Sequence, residues 1–206
     1  MEIQFIFAII ILIMSVVIHE VSHGYTAELF GDPTARLAGR LTLNPIKHLD
    51  PVGSFLVPVV MYFLGGFILG WAKPVPYNPY NLSHKRLGEG LVAAAGALSN
   101  FLIAIIFGLL IRFAEPLGIG DEAFFQISQL IVLINVILGV FNLIPIPPLD
   151  GSKVLFALLP YHLHHVQEFM ERYWPIFIVA LLLFFWQFIL PLVSFIFTLL
   201  TGSTLL

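Results

Sequence analysis

The stretch Ile3–His23 reads IQFIFAIIILIMSVVIHEVSH: sixteen residues of almost unbroken hydrocarbon running without a turn signal into His-Glu-Val-Ser-His. An apolar run of this kind is helical in lipid, because only a helix or a closed barrel satisfies its own backbone there. Counted from Ile3 at ~1.5 Å per residue, His19 sits roughly 24 Å into a ~30 Å hydrocarbon layer. Three ionisable side chains at that depth are costly and by default mark function. Residues four apart on a helix differ by about 40° around the axis, so His19 and His23 can hold one metal from one face. Glu20, beside them, can take a proton from a water activated by that metal. A helix merely ending, with its polar tail meeting water, is the plainer reading of the same five residues.

The rest of the chain supports a membrane setting. Of 206 residues, 59% are hydrophobic and only 10% charged, against about 25% charged in an average soluble domain. The net charge of -3 offers no basic field for nucleic acid. With no cysteine, a disulfide framework, a thiolate metal site and a cysteine nucleophile are excluded. Further apolar runs cover Val52–Ala72, Gly90–Ile111, Ala123–Ile144 and Trp174–Leu200. Met1-Glu2 lacks the positive charge of a signal peptide and no small-residue cleavage site follows, so the first run is expected to stay as a span.

The basic residues decide how many runs cross. If all five cross, Lys and Arg divide almost evenly between the two faces. If Val52–Ala72 dips in and returns, every Lys and Arg except Arg112 lies on one face, which the positive-inside rule makes cytoplasmic. Pro58 and Gly65-Gly66 supply break points for such a hairpin. The expected fold is therefore an all-α polytopic membrane protein with about four transmembrane helices and one re-entrant hydrophobic segment. A single domain over 1–206 is divided into an HExxH helix (3–30), a loop (31–51), the re-entrant segment (52–72), spans at 90–111 and 123–149, a cytoplasmic amphipathic stretch (151–173) and a final span (174–200).

A catalytic zinc usually has three protein ligands and an open position. Thr26 cannot serve, and Glu28 points away from His19 around the helix. Asp32 and Asp50 each precede a proline and read as turn formers. Asp150, at the end of an apolar run and before Gly151, reads as a turn or cap or as a ligand. The re-entrant arrangement brings it to the same face as the histidine pair; five crossings would separate them.

With His19-Glu20-Val21-Ser22-His23 and the downstream Asn142-Leu143-Ile144-Pro145-Ile146-Pro147-Pro148-Leu149-Asp150-Gly151, the chain resembles the site-2 protease family of zinc intramembrane metalloproteases. Gly96-Ala97-Leu98-Ser99-Asn100 is similar to the family's small-residue motif. Leu43-Asn44-Pro45, Asp50-Pro51 and Gly70-Trp71-Ala72-Lys73-Pro74-Val75-Pro76 look like its compact bacterial-type branch. The resemblance spans about residues 15–155. It implies one Zn2+ per chain held by His19, His23 and Asp150, with Glu20 as catalytic acid/base. It also implies that Asn142 contacts the substrate backbone or the oxyanion; a helix-breaking residue before Pro145 is the alternative. The implied substrate is the transmembrane segment of another membrane protein, cut in the cell membrane near the cytoplasmic side, and the chain is expected to lack the PDZ or CBS domains of larger relatives. Both a single chain and a homo-oligomer are compatible with the sequence.

Ala35–Leu43 reads either as a short β-loop that pairs with unwound substrate, as the resemblance implies, or as an ordinary loop. Gly96 and Asn100 read as close helix packing with an interhelical hydrogen bond. His48 and His84 read as solvated loop residues, His162, His164 and His165 as part of a surface helix, and Lys73 as an interface anchor with Trp71. A membrane metal-ion transporter using the His/Asp cluster as its ion site is the rival class; it has no use for Glu20.

Overall fold

The first apolar run folds as one unbroken helix, α1 (Glu2–Leu29), which carries the HExxH residues on its second half. It ends where Gly31 takes a left-handed φ of 96°. The computed structural model describes residues 2–56, 60 and 72–204 of the chain. Beyond α1 it contains α2 (Thr34–Leu37), α3 (Lys85–Leu117), α4 (Glu122–Asn142), α5 (Asp150–Leu158), α6 (His164–Arg172) and α7 (Trp174–Thr201). Three helical segments, Gln4–Leu29, Lys85–Ala114 and Glu122–Asn142, are long and apolar enough to cross a membrane. Trp174–Thr201 adds a fourth helix of 28 residues over the final apolar run.

The ends of these helices follow from local chemistry. Asp121 caps α4 by accepting from the Phe124 amide at 2.8 Å. α4 stops at Asn142, short of the 149 expected, because Pro145, Pro147 and Pro148 cannot continue it. Gly202, at φ 79°, closes α7 by donating its N–H to the Thr198 carbonyl.

α3 is the central strut, packed against α1, α4, α5 and α7. Small residues let the backbones approach, as expected where lipid removes the hydrophobic drive between helices. A Cβ on Gly90 would lie 2.5 Å from the Ala157 Cβ, and one on Gly108 would lie 2.7 Å from the Leu200 Cβ. Between α3, α4 and α7 lies a core of Ala104, Ile111, Val132, Val136, Val140, Val193 and Phe197. Large apolar side chains such as Phe5, Ile10, Leu102, Leu183 and Phe195 face outward instead, as lipid permits.

Two further expectations change. There is no strand among the described residues, and the β-loop considered over Ala35–Leu43 begins as a helical turn. Asp32 accepts from the Thr34 amide and hydroxyl, Leu37 and Ala38 donate to Pro33 and Thr34, and Gly39 (φ 64°) reverses the chain. Pro33, with its fixed φ, suits a helix start better than a strand. His48 is buried rather than solvated, with Nε2 2.9 Å from the Thr42 carbonyl oxygen. The re-entrant segment expected over 52–72 lies mostly outside the described residues: Val52–Leu56 forms one π-helical turn, and of the rest only Val60 and Ala72 are described.

Candidate metal centre

α1 and α5 bring together three side chains that could hold a metal ion. His19 Nε2 lies 3.0 Å and His23 Nε2 3.1 Å from the same oxygen, Asp150 Oδ2. All three ligating atoms fall within 4.8 Å of one another. The two imidazoles, one helical turn apart, meet edge to face at 4.6 Å between centroids, and both residues are buried. Asp150 reaches them because it opens α5 just after the turn through Pro147 and Pro148. Gly151 makes that entry feasible: a Cβ there would lie 2.3 Å from the Leu143 carbonyl oxygen.

The remaining ring nitrogens explain why these atoms converge. His23 Nδ1 lies 2.7 Å from the Val92 carbonyl oxygen, which can only accept, so Nδ1 carries the hydrogen. His19 Nδ1 lies 2.7 Å from Asn100 Oδ1. With both Nδ1 atoms donating, each ring in its metal-binding, neutral form turns its Nε2 lone pair toward a carboxylate oxygen. Three lone pairs facing one another are unfavourable unless a cation sits among them. For bonds of about 2.05 Å at a tetrahedral angle, zinc ligand atoms stand about 3.3 Å apart, close to the 3.0 and 3.1 Å found here. The donor set of two imidazoles and one carboxylate suits Zn2+, and histidines tied at their second nitrogen are the usual arrangement of zinc sites.

Glu20 is held from the other side. Its Oε2 accepts from the Val75 amide at 2.8 Å, so the extended residues after Ala72 lie across α1 at this point. Gly24 provides the room, since a Cβ there would be 2.6 Å from Leu41 Cδ2 and 2.9 Å from Val75 Cγ1. Asn142 ends α4 and donates Nδ2 to the Leu138 carbonyl of its own helix at 3.0 Å. His162, His164 and His165 are exposed, and His164 pairs with Glu168 at 3.1 Å.

Gly96 and Asn100 do more than pack helices. A Cβ on Gly96 would stand 2.5 Å from His19 Nε2 and 2.6 Å from His23 Cε1, so the bare backbone of α3 is the floor on which the imidazoles rest. Asn135, which the sequence reading passed over, lies beneath Asn100 and donates to Ser15 Oγ at 2.9 Å. The available signal was a lone amide in an apolar run, costly in lipid without a partner.

A buried two-His, one-carboxylate centre inside a bundle of apolar helices defines a membrane metalloprotein. Comparison with known proteins narrows this. The family model for peptidase family M50 matches residues 118–185. YwhC of Bacillus subtilis, assigned as a zinc metalloprotease, is 40% identical over 183 residues, covering 86% of this chain and 80% of that protein. Rip2 of Mycolicibacterium smegmatis, likewise assigned, is 33% identical over 150 residues, which cover 69% of this chain and 53% of Rip2. The zinc metalloprotease MJ0392 of Methanocaldococcus jannaschii is 28% identical over 73% of this chain and 33% of its own length. The chain thus spans most of YwhC and about half of Rip2. No solved structure matches it. The chain belongs to peptidase family M50, the site-2 protease family of zinc metalloproteases.

Proposed function

We propose that this chain is an intramembrane zinc endopeptidase that hydrolyses a peptide bond within or near the transmembrane segment of another membrane protein. The observation that carries the reading is the meeting of His19 Nε2, His23 Nε2 and Asp150 Oδ2 within a bundle of apolar helices. In this reading those three atoms hold one Zn2+ per chain. Zinc in such a site supplies Lewis acidity, polarising a carbonyl and bringing the pKa of water toward ~7.

The chain's own residues do the rest. Glu20 takes the proton of the attacking water and returns it to the leaving nitrogen. The Val75 amide fixes the Glu20 carboxylate by a hydrogen bond to one oxygen, leaving the other to accept. Asn142 turns its amide from Leu138 to the carbonyl oxygen of the scissile bond, where charge develops. A substrate helix must unwind locally first, because its carbonyls are occupied in its own hydrogen bonds.

The topology in this reading has four crossings, at α1, α3, α4 and α7, with residues 52–72 re-entrant. Both termini are external and the site lies near the cytoplasmic face of the cell membrane. A transporter would leave Glu20 beside the metal without a task.

Zinc analysis of the purified protein tests the centre. One zinc per chain in the wild type and none in a His19→Ala, His23→Ala double variant is expected. Full zinc occupancy in that double variant would remove the site.

A further inference from the structure

The two imidazoles are anchored differently, and the difference is informative. His23 donates to a backbone carbonyl. His19 instead leans on a side-chain amide, Asn100, whose orientation is not fixed by its own covalent structure. An amide turned the other way would present NH2 to His19 Nδ1, favour the Nε2–H tautomer, and place a hydrogen where a ligand lone pair is required.

The orientation of Asn100 is set from the neighbouring helix, α4. Asn135 Nδ2 donates to the Ile131 carbonyl at 2.9 Å and to Ser15 Oγ at 2.9 Å, using both its hydrogens. A carbonyl cannot donate, so this side of Asn135 must be nitrogen and the other side must be Oδ1. Oδ1 in turn faces Asn100 at 2.9 Å and accepts from it, which requires Nδ2 of Asn100 there. The second hydrogen of that group points to the Ser15 carbonyl at 3.4 Å. Asn100 is left with only Oδ1 toward His19, at 2.7 Å. Asn100 and Asn135 are both 0% exposed and Ser15 4%, so water cannot substitute for a missing partner. The direction of every bond follows from backbone carbonyls that cannot flip.

We infer that Asn135, through Asn100, is a positioning residue for the metal centre: the chain Ile131 carbonyl–Asn135–Asn100–His19 locks His19 in the Nδ1–H tautomer and keeps Nε2 free to ligate. Asn135 touches neither the metal ligands' binding atoms nor substrate; it acts by fixing which end of Asn100 the imidazole meets. The inference rests on the zinc reading above, and it adds that α4, which supplies no ligand, governs metal affinity.

The test uses full-length protein in detergent with histidine side chains labelled with 15N, whose shifts separate the two tautomers, alongside zinc affinity by chelator competition. In zinc-free wild type His19 is expected as Nδ1–H. Asn135→Leu, close in size and apolar, should raise the Nε2–H population and weaken zinc binding ~10-fold, and Asn100→Leu by ~10–100-fold, the range for loss of such outer partners. Asn100→Asp keeps an acceptor at His19 and should retain the Nδ1–H tautomer and bind zinc more tightly than Asn100→Leu; a role in packing alone would rank these two the other way. Wild-type His19 found as Nε2–H overturns the inference whatever the variants do, as does unchanged zinc affinity in a folded Asn135→Leu protein. Wild type that binds no zinc at all while keeping the Nδ1–H tautomer would instead overturn the zinc reading.

Discussion

Gly96 lies directly under His19: a methyl group on its α-carbon would stand 2.5 Å from Nε2, the atom that meets Asp150. The neighbouring His23 ring is as close, so neither imidazole could yield without moving off the carboxylate. Gly96→Ala is therefore expected to keep the helical fold, since alanine is the better helix former, yet to weaken zinc. Overpacking typically costs about 1–3 kcal/mol, and here that strain falls on the ligands. Chelator competition should show zinc held ~10-fold or more weakly at unchanged helicity; wild-type affinity would mean that α3 does not press on the site.

In the proposed zinc site Asp150 brings the only negative charge, and the Nε2 atoms of His19 and His23 both meet one of its oxygens. Asp150→Asn replaces that charge with a neutral amide, so the protein should release zinc at chelator concentrations that leave wild type loaded. Gly151→Ala tests the same ligand by position: its Cβ would collide with the Leu143 and Ile144 carbonyls, so the variant should also lose zinc with Asp150 intact.

Asp32 ties the end of α1 to the turn at 78–81. Burial would raise its pKa, but hydrogen bonds from Thr34, the Asn78 amide and Asn81 outweigh this and hold the carboxyl below the ordinary value. A carboxyl with a lowered folded-state pKa stabilises the fold above its unfolded pKa of ~3.9, and that contribution disappears as pH falls through the folded value. Asp32→Ala leaves buried donors unpaired, at about 1–3 kcal/mol. Thermal melts in detergent should show a lower Tm for the variant at pH 7, with the gap to wild type closing as the pH is taken well below 4.

The absence of cysteine allows the topology to be read with single introduced thiols. Lys47→Cys should be protected from a membrane-impermeant reagent in intact cells, and Gly118→Cys labelled. Labelling of both, or of Lys47→Cys alone, would refute the proposed orientation.

Much of this arrangement was legible in the chain. Apolar length located the four long helices of the described residues, although hydropathy reports the thickness of lipid and not where a helix stops. α1 continues eleven residues past its apolar run, through His19 and His23 to Leu29. The pairing of His19 with His23 is a local property of helical spacing. Bringing Asp150 to them took the charge-based topology, since 127 residues separate it from His23. The roles of Gly96 and Asn100 were only half visible, because spacing shows that two residues share a helix face but not what rests on it. Asn135 stayed hidden because the direction of a hydrogen bond is a property of three helices together. His48 looked solvated beside Lys47 but is buried by contacts from far along the chain: its backbone carbonyl accepts from the Lys73 amide, and Arg40, buried as well, donates to the Lys73 carbonyl at 2.7 Å. At Ala35–Leu43 the helix-start chemistry of Asp32-Pro33-Thr34 outweighed the weak strand pattern that followed.

The account turns on Glu20 as the group that moves the proton, and Glu20→Gln removes that capacity while preserving shape and all three ligands. The decisive measurement compares the membrane proteomes of cells carrying wild-type or Glu20→Gln protein, each shown to hold one zinc per chain. Uncut membrane-anchored fragments should accumulate with the variant and be cleared by the wild type. Indistinguishable fragment levels, with cleavage persisting in the Glu20→Gln protein, would contradict the mechanism.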